Sequence, residues 1–278
     1  MTGFLKANYH THTYRCQHAY GSEREYIEAA IRMGIAELGF SDHVPCPFKD
    51  GYVSGIRMTM EQAPEYVYAI RKLGKEYASD IKLYVGFEAE YIPEFFKEQK
   101  AMFDRLDCDY MIMGQHFMKS EQTGPYTGTP TDDESRIREY VDTVIEGMKT
   151  GMYSYLAHPD LINYQGLDSV YEWEMQKFGL GYSDQYSDDL YKYLRSKGYD
   201  DEILKELDIP LEINMLGISA GKHYPTDRFW CIPHDIGNKV ILGLDAHTVD
   251  NICDVESYEK ALDIVRKYDL NLIDRIEI

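Results

Sequence analysis

The chain of 278 residues is 44% hydrophobic, and 29 basic against 48 acidic residues leave a formal net charge of −19. That length suits one large α/β barrel or two ordinary domains, while the charge repels phosphate backbones and excludes extended nucleic-acid binding without a basic stripe, which the sequence lacks. No stretch approaches the ~18 consecutive apolar residues of a membrane span, and no basic region, apolar run and cleavage site open the chain, so a cytoplasmic protein with no membrane partner is expected.

Strands and helices are predicted in strict alternation. A first strand over Phe4–Tyr9 ends at His10-Thr11-His12, with His18 on the loop that follows. A helix over Ser22–Met33 leads to a strand over Ile35–Phe40, which stops at Ser41-Asp42-His43. After a helix over Thr59–Ala78, the strand Ile81–Phe87 stops at Glu88; after a helix over Pro93–Asp104, the strand Tyr110–Met113 leads to Gly114-Gln115-His116. A helix over Asp132–Thr150 precedes the strand Tyr153–Ala157, which runs into His158-Pro159-Asp160. The segment Gln165–Ser187, with Trp173 and Phe178, is longer than an ordinary connection and reads equally as a lid over a pocket or as a packed insertion. Beyond a helix over Ser187–Leu207, a strand over Pro210–Ile213 carries Glu212-Ile213-Asn214; a helix over Pro225–Asn238 then leads to the strand Val240–Leu244, which ends at Asp245-Ala246-His247. The last helix is expected over Val255–Tyr268.

This alternation, with no break in composition over 1–278, predicts one α/β domain whose parallel sheet closes as a TIM-like barrel. In such a barrel the C-terminal strand ends share one face, so seven distant segments converge on one site. A lone histidine after a strand signals little, but seven of the nine histidines fall at these ends or on the first loop, leaving only His223 and His234 elsewhere. Imidazoles and carboxylates together suit zinc, iron or manganese. The five cysteines are odd in number, without a Cys-x-x-Cys pair, and speak against a disulfide framework or a structural zinc knot. Asp42, Asp160 and Asp245 each sit close to a histidine and serve either as ligands or as partners of a ring nitrogen.

In this order, His10-Thr11-His12, His18, Ser41-Asp42-His43, Gly86-Phe87-Glu88, Gly114-Gln115-His116, His158-Pro159-Asp160 and Asp245-Ala246-His247 resemble the polymerase and histidinol phosphatase (PHP) family. The stretch from Glu212-Ile213-Asn214 to Tyr224-Pro225 is similar to its histidinol-phosphate phosphatase branch. The resemblance implies a distorted (β/α)7 barrel with three divalent metals, zinc, manganese or iron. One metal falls to His10, His12, Glu88 and Asp245; a second to Glu88, His116 and His158; a third to His18, His43 and His247. It further implies hydrolysis of L-histidinol phosphate by a hydroxide that bridges two metals, with Glu88, Asp245 and Asp160 as catalytic carboxylates and Asp160 or Asp245 as proton donor. The sequence departs from that branch where phosphate-clamping arginines are expected, reading Asp160-Leu161-Ile162-Asn163 and Gly217-Ile218-Ser219-Ala220. Lys222, Arg228, Arg15 and Arg57 are the remaining cationic candidates, and another small phosphate monoester is the alternative substrate.

Overall fold

The computed structural model describes residues 4–165, 208–226, 229–230 and 237–278. Strands β1 (Ala7–Asn8), β2 (Glu37–His43), β3 (Lys82–Ala89) and β4 (Tyr110–Met113) form one sheet in chain order. Strands β5 (Leu211–Asn214), β6 (Lys239–Gly243) and β7 (Asn271–Leu272) form another, and every pairing is parallel. Helices α1 (Glu23–Met33), α2 (Ala63–Glu76), α3 (Pro93–Arg105) and α4 (Glu134–Lys149) follow the first four strands in turn; α5 (Met215–Ser219) and α6 (Val255–Lys267) follow β5 and β6.

Two seams join the sheets. Residues 153–157, expected as a full strand, make only isolated bridges: the Met113 amide donates to the Tyr155 carbonyl at 3.0 Å, and the Glu212 amide to the Leu156 carbonyl at 2.9 Å. At the other seam the His12 amide donates to the Ala246 carbonyl at 2.9 Å and the Ala246 amide to that of His10 at 3.2 Å. The result is an α/β fold with a curled parallel sheet.

Local chemistry explains most boundaries. The α1 helix starts at a capping box, in which the Ser22 side chain accepts from the Glu25 amide and the Glu25 carboxylate from the Ser22 amide. It ends at Gly34, whose φ of 78° lies in the left-handed region that glycine enters without penalty. The helix expected from Thr59 begins four residues later, because the Gln62 side chain accepts from the Thr59 amide in a preceding turn and Pro64 takes a first-turn position. The first strand is shorter than Phe4–Tyr9, whereas β2 and β3 continue past their apolar runs, so His43 and Glu88 face each other as register partners inside the ladder. Hydrophobicity ended those strands early in the sequence because their last residues include the polar Ser41, Asp42, His43 and Glu88, which are buried all the same. The predicted helix Ser187–Leu207 and all of 165–187 but Gln165 lie outside the described residues, as does most of Pro225–Asn238. Among the described residues no helix is long and apolar enough to cross a membrane.

Buried apolar residues form two main clusters. The larger packs helix residues such as Tyr26, Ile27, Tyr66 and Val144 against Val85, Phe87, Met111 and Met113 of the sheet. The smaller gathers Tyr9, Tyr84, Tyr110 and Tyr155 with no helix residue, which marks it as the filling of the sheet's other face. Tyr84, Gly86 and Glu88 alternate onto one face of β3, so this tyrosine layer is the floor beneath Glu88.

Candidate metal centre

Glu88, near the end of β3, is buried to 1% exposure, and its two carboxylate oxygens face different sets of imidazoles. Oε1 lies 2.8 Å from His158 Nε2 and 3.5 Å from His116 Nε2. Oε2 lies 3.0 Å from His43 Nδ1, 3.4 Å from His12 Nε2 and 3.5 Å from His10 Nε2. Asp245 Oδ1 closes the second set, 3.1 Å from His12 Nε2 and 3.4 Å from His10 Nε2. Gly114 makes room for this arrangement, since a Cβ there would be built into the Glu88 carboxylate.

His247 stacks on His12 with ring centroids 4.0 Å apart, and His18 lies 4.8 Å from His247 and 5.4 Å from His43 on the same measure. All nine predicted ligands are thus gathered at one end of the sheet, fed by β1, β2, β3, β4, residues 153–157 and β6. Two sit on strained backbone: His158 has φ 30° and Asp245 φ 48°, left-handed values that non-glycine residues adopt where the surroundings enforce them.

The orienting groups were only partly legible. Glu212 Oε1 holds His10 Nδ1 at 2.8 Å, and its Oε2 accepts from the His158 amide at 3.0 Å and from Asn214 Nδ2 at 3.1 Å. Asn214 also donates to Asp245 Oδ2 at 3.1 Å, while its Oδ1 caps α5 by accepting from the Gly217 amide at 2.9 Å. Asp42 lies 3.5 Å from His12 Nδ1 and accepts from the Thr13 hydroxyl and the His43 amide. Glu90, two residues past Glu88, lies 3.3 Å from His116 Nδ1. The Glu-x-Asn and Glu-x-Glu spacings were the available signals for Glu212, Asn214 and Glu90. Cys16 was not expected here, yet it is buried, with its sulfur among ligand atoms of His18 and His247 that lie within 4.8 Å of one another.

The unpartnered atoms test whether metals fit. His10 Nε2, His12 Nε2 and Asp245 Oδ1 are buried without a hydrogen-bond partner, a costly state for polar atoms. They converge at separations of 3.1 to 3.4 Å, the spacing of neighbouring ligands around an ion bound at about 2.0–2.2 Å. Burial raises the Glu88 carboxyl, but the facing imidazoles of His116, His10 and His43 outweigh it and hold the group well below the carboxylate range. Burial and the neighbouring His12 push His43 down to about 4 and His247 down to about 3, which keeps both rings neutral, as a ligand must be. At His10 and His12 burial lowers the pKa, but the facing carboxylates of Glu212 and Asp245 outweigh it and hold both rings well above the usual imidazole value, so a cation at Nε2 displaces a proton there; the buried carboxylates that favour that proton fit a divalent cation in its place.

The other candidates lie elsewhere. Arg15 is bound to Glu23 and, 2.9 Å away, to Glu65; Arg57 forks onto Glu90 at 2.9 and 3.0 Å and reaches Glu121 at 2.8 Å. Neither has its fork free for a phosphate. Lys222 is exposed with no side-chain partner among the described residues, and Arg228 lies outside them, as does His234. Asp160 accepts from the Thr226 amide at 2.5 Å, and burial pushes its carboxyl up to about 7. His223 binds the Leu161 carbonyl at 2.8 Å and stays outside the cluster. Tyr126 stacks on His116, ring centroids 6.4 Å apart, and the buried Tyr224 ring sits 5.9 Å from that of His158; neither tyrosine was anticipated.

Residues 8–206 match the sequence model of the PHP domain. A Deinococcus radiodurans protein named "Probable histidinol-phosphatase" is 32% identical over 167 residues, 58% of this chain and 62% of its own length. The histidinol-phosphatase of Bacillus subtilis is 29% identical over 124 residues, 42% of this chain and 46% of its own. Each match spans less than two-thirds of the relative. The crystal structure of histidinol phosphate phosphatase from Lactococcus lactis, complexed with zinc, L-histidinol and phosphate, superposes with a TM-score of 0.67 at 21% identity and covers 99% of both chains.

Proposed function

We propose that this chain, which belongs to the PHP domain family, is a metal-dependent phosphomonoesterase that hydrolyses L-histidinol phosphate to L-histidinol and phosphate. The observation that carries the reading is the divided Glu88 carboxylate, with His116 and His158 on one oxygen and His10, His12 and His43 on the other, beside unpartnered buried atoms. The curated relatives named as histidinol-phosphatases support the substrate. The paired seams support a ring of seven, β1 to β4, residues 153–157, β5 and β6, in which 153–157 act as the fifth strand and the unpredicted β7 is an addition on β6.

Three metals are proposed, and Glu88 would serve two of them, one through each oxygen. His10, His12 and Asp245 would complete one, His116 and His158 the second, and His18, His43 and His247 would hold the third. Bound there, the metals supply Lewis acidity toward phosphoryl oxygens and an activated water as nucleophile. The protein's share is orientation. Glu212 accepts the Nδ1 proton of His10 and so turns the Nε2 lone pair inward, and Asn214 fixes the carboxylate plane of Asp245. Burial keeps bulk water from screening the cluster, so each electrostatic contact to a phosphoryl group counts for more than it would in solution. Asp245, ringed by imidazoles, serves as a ligand; Asp160 remains the proposed proton donor to the leaving alcohol.

Steady-state kinetics with L-histidinol phosphate on protein loaded with zinc, manganese or iron, against a panel of sugar and nucleotide phosphates, test the assignment. A kcat/KM for L-histidinol phosphate above the whole panel is expected. Preference for another ester supports the second reading, a phosphatase of that ester, which the engaged forks of Arg15 and Arg57 favour.

A further inference from the structure

His116, like His10, is held between two glutamates: Nε2 faces Glu88 Oε1 at 3.5 Å, and Nδ1 faces Glu90 Oε1 at 3.3 Å. Glu90 is itself gripped from behind. Arg57 donates Nη1 to its Oε2 at 2.9 Å and Nη2 to its Oε1 at 3.0 Å, the forked geometry that fixes a carboxylate's plane as well as its position. Arg57 also donates to Glu121 Oε2 at 2.8 Å and to the Val44 carbonyl at 3.0 Å. The side chains of Arg57, Glu90 and Glu121 are only 2%, 1% and 6% exposed, so the pairing takes place away from water. A carboxylate buried there without the guanidinium would be costly, and one free to rotate would not hold a ring.

We propose that Glu90, locked by Arg57, is the positioning residue of His116: it accepts the Nδ1 proton, presents the Nε2 lone pair to the Glu88 side, and thereby sets the affinity of the His116–His158 metal position. This rests on the metal-centre reading above. It also assigns Arg57 a role that its place outside the phosphate path leaves open. The arrangement repeats, on the opposite side of the cluster, what Glu212 does for His10, with the difference that Glu212 is steadied by Asn214 and the His158 amide rather than by a cation.

Titrating the metal-free full chain with Mn(II), followed by calorimetry and electron paramagnetic resonance, tests it. Two ions sharing the Glu88 carboxylate give a spin-coupled signal distinct from that of an isolated ion. In Glu90→Gln one ion of the coupled pair is expected to lose about 10–100-fold in affinity, with the coupled signal appearing only at correspondingly higher metal, while the other ions are unchanged. Glu90→Asp keeps the charge that Arg57 needs but withdraws the carboxylate from His116; it gives the same selective loss, and is the variant read if Glu90→Gln does not fold. Arg57→Lys retains charge without the fork and is expected to show a smaller loss of the same class. A folded Glu90 variant with every ion at wild-type affinity overturns the positioning role alone. A wild-type chain that binds no coupled pair overturns the metal-centre reading and this one with it.

Discussion

The two sheets contribute unlike parts to the same centre. The β1–β4 sheet and the residues just past its strands supply most imidazoles and the carboxylate proposed as the bridge: His10, His12, His43, Glu88 and His116, with Asp42 and Glu90 close behind them. The β5–β7 sheet supplies Asp245 and His247 as proposed ligands, and otherwise Glu212 and Asn214, which touch the proposed ligands rather than replace them. Orientation therefore crosses the seams. Glu212 on β5 holds His10 next to β1, and its second oxygen holds the backbone of His158, so a metal seated among these residues ties one sheet to the other.

On that division, stripping the proposed metals does more than remove the proposed activity. Chelation is expected to lower Tm, because an ion that binds only the folded state at a thousandfold excess over its Kd stabilises it by about 4 kcal/mol. The loss should concentrate at the seams: the amides of His12, Leu244 and Ala246, which bind the Ala246 carbonyl, Asn8 Oδ1 and the His10 carbonyl, should exchange hydrogen faster in the metal-free chain. Uniform acceleration over β2, β3 and the seams alike would break the comparison.

The next largest effect separates ligand from orienter. A Cβ on Gly114 would be built into Glu88, and one on Gly243 into Glu212. Both alanine variants overpack a buried carboxylate and are expected to lose about 1–3 kcal/mol of stability by chemical denaturation. Metal analysis then distinguishes them: Gly114→Ala displaces the bridge and should lower both positions that share it, whereas Gly243→Ala should lower the position of His10 first.

Glu212→Gln probes the same orienter more gently. Glu212 accepts three hydrogen bonds, one on Oε1 and two on Oε2, and an amide has a single acceptor oxygen. Turned one way, the substituted amide sets a donor against the His158 and Asn214 donors; turned the other, it meets the Nδ1 proton of His10 or drives that proton to Nε2, where a metal would bind. Metal affinity at the His10 position is expected to fall by about 10–100-fold, and an unchanged titration would show that the seam contact is structural only.

The site was legible because the proposed ligands stand where apolar runs end: His10, His158 and Asp245 directly after them, Glu88 next to Phe87, His43 and His116 three residues on, and such an ending is visible without a structure. What lies behind them was less so. Glu212 and Asn214 stood out only as a strand-end triplet, and their task became clear from which oxygen faces which ring. Glu90 and Arg57 were obscured by distance in sequence, 33 residues apart, so that Arg57 stood among the candidate phosphate contacts. Residues 153–157 had the composition of a strand, but in place of a regular ladder they form bridges to both neighbours, a matter of register that no local pattern encodes. Cys16 was set aside because the cysteines formed no motif, although a buried thiol needs only proximity to imidazoles.

The smallest expected effect concerns where the substrate's anion is gripped. On the β1–β4 side Arg15 is 5% exposed and already engaged: Glu65 takes its Nε and Nη2, Glu23 its Nη1, and its guanidinium lies 4.5 Å from the Tyr14 ring centroid. Arg15→Met keeps the apolar stem and removes the fork. Glu65, with its side chain 62% exposed, rehydrates readily, so the cost is about 1–2 kcal/mol of stability. Because those donors serve carboxylates of this chain rather than a phosphate, KM for the phosphate ester should not move. Lys222, exposed on the loop after α5, is the contrasting variant: Lys222→Ala should raise KM with little change in stability. A tenfold rise in KM from Arg15→Met, about 1.4 kcal/mol, would instead put the phosphate grip on the same sheet as most of the ligands and undo the separation between the two halves.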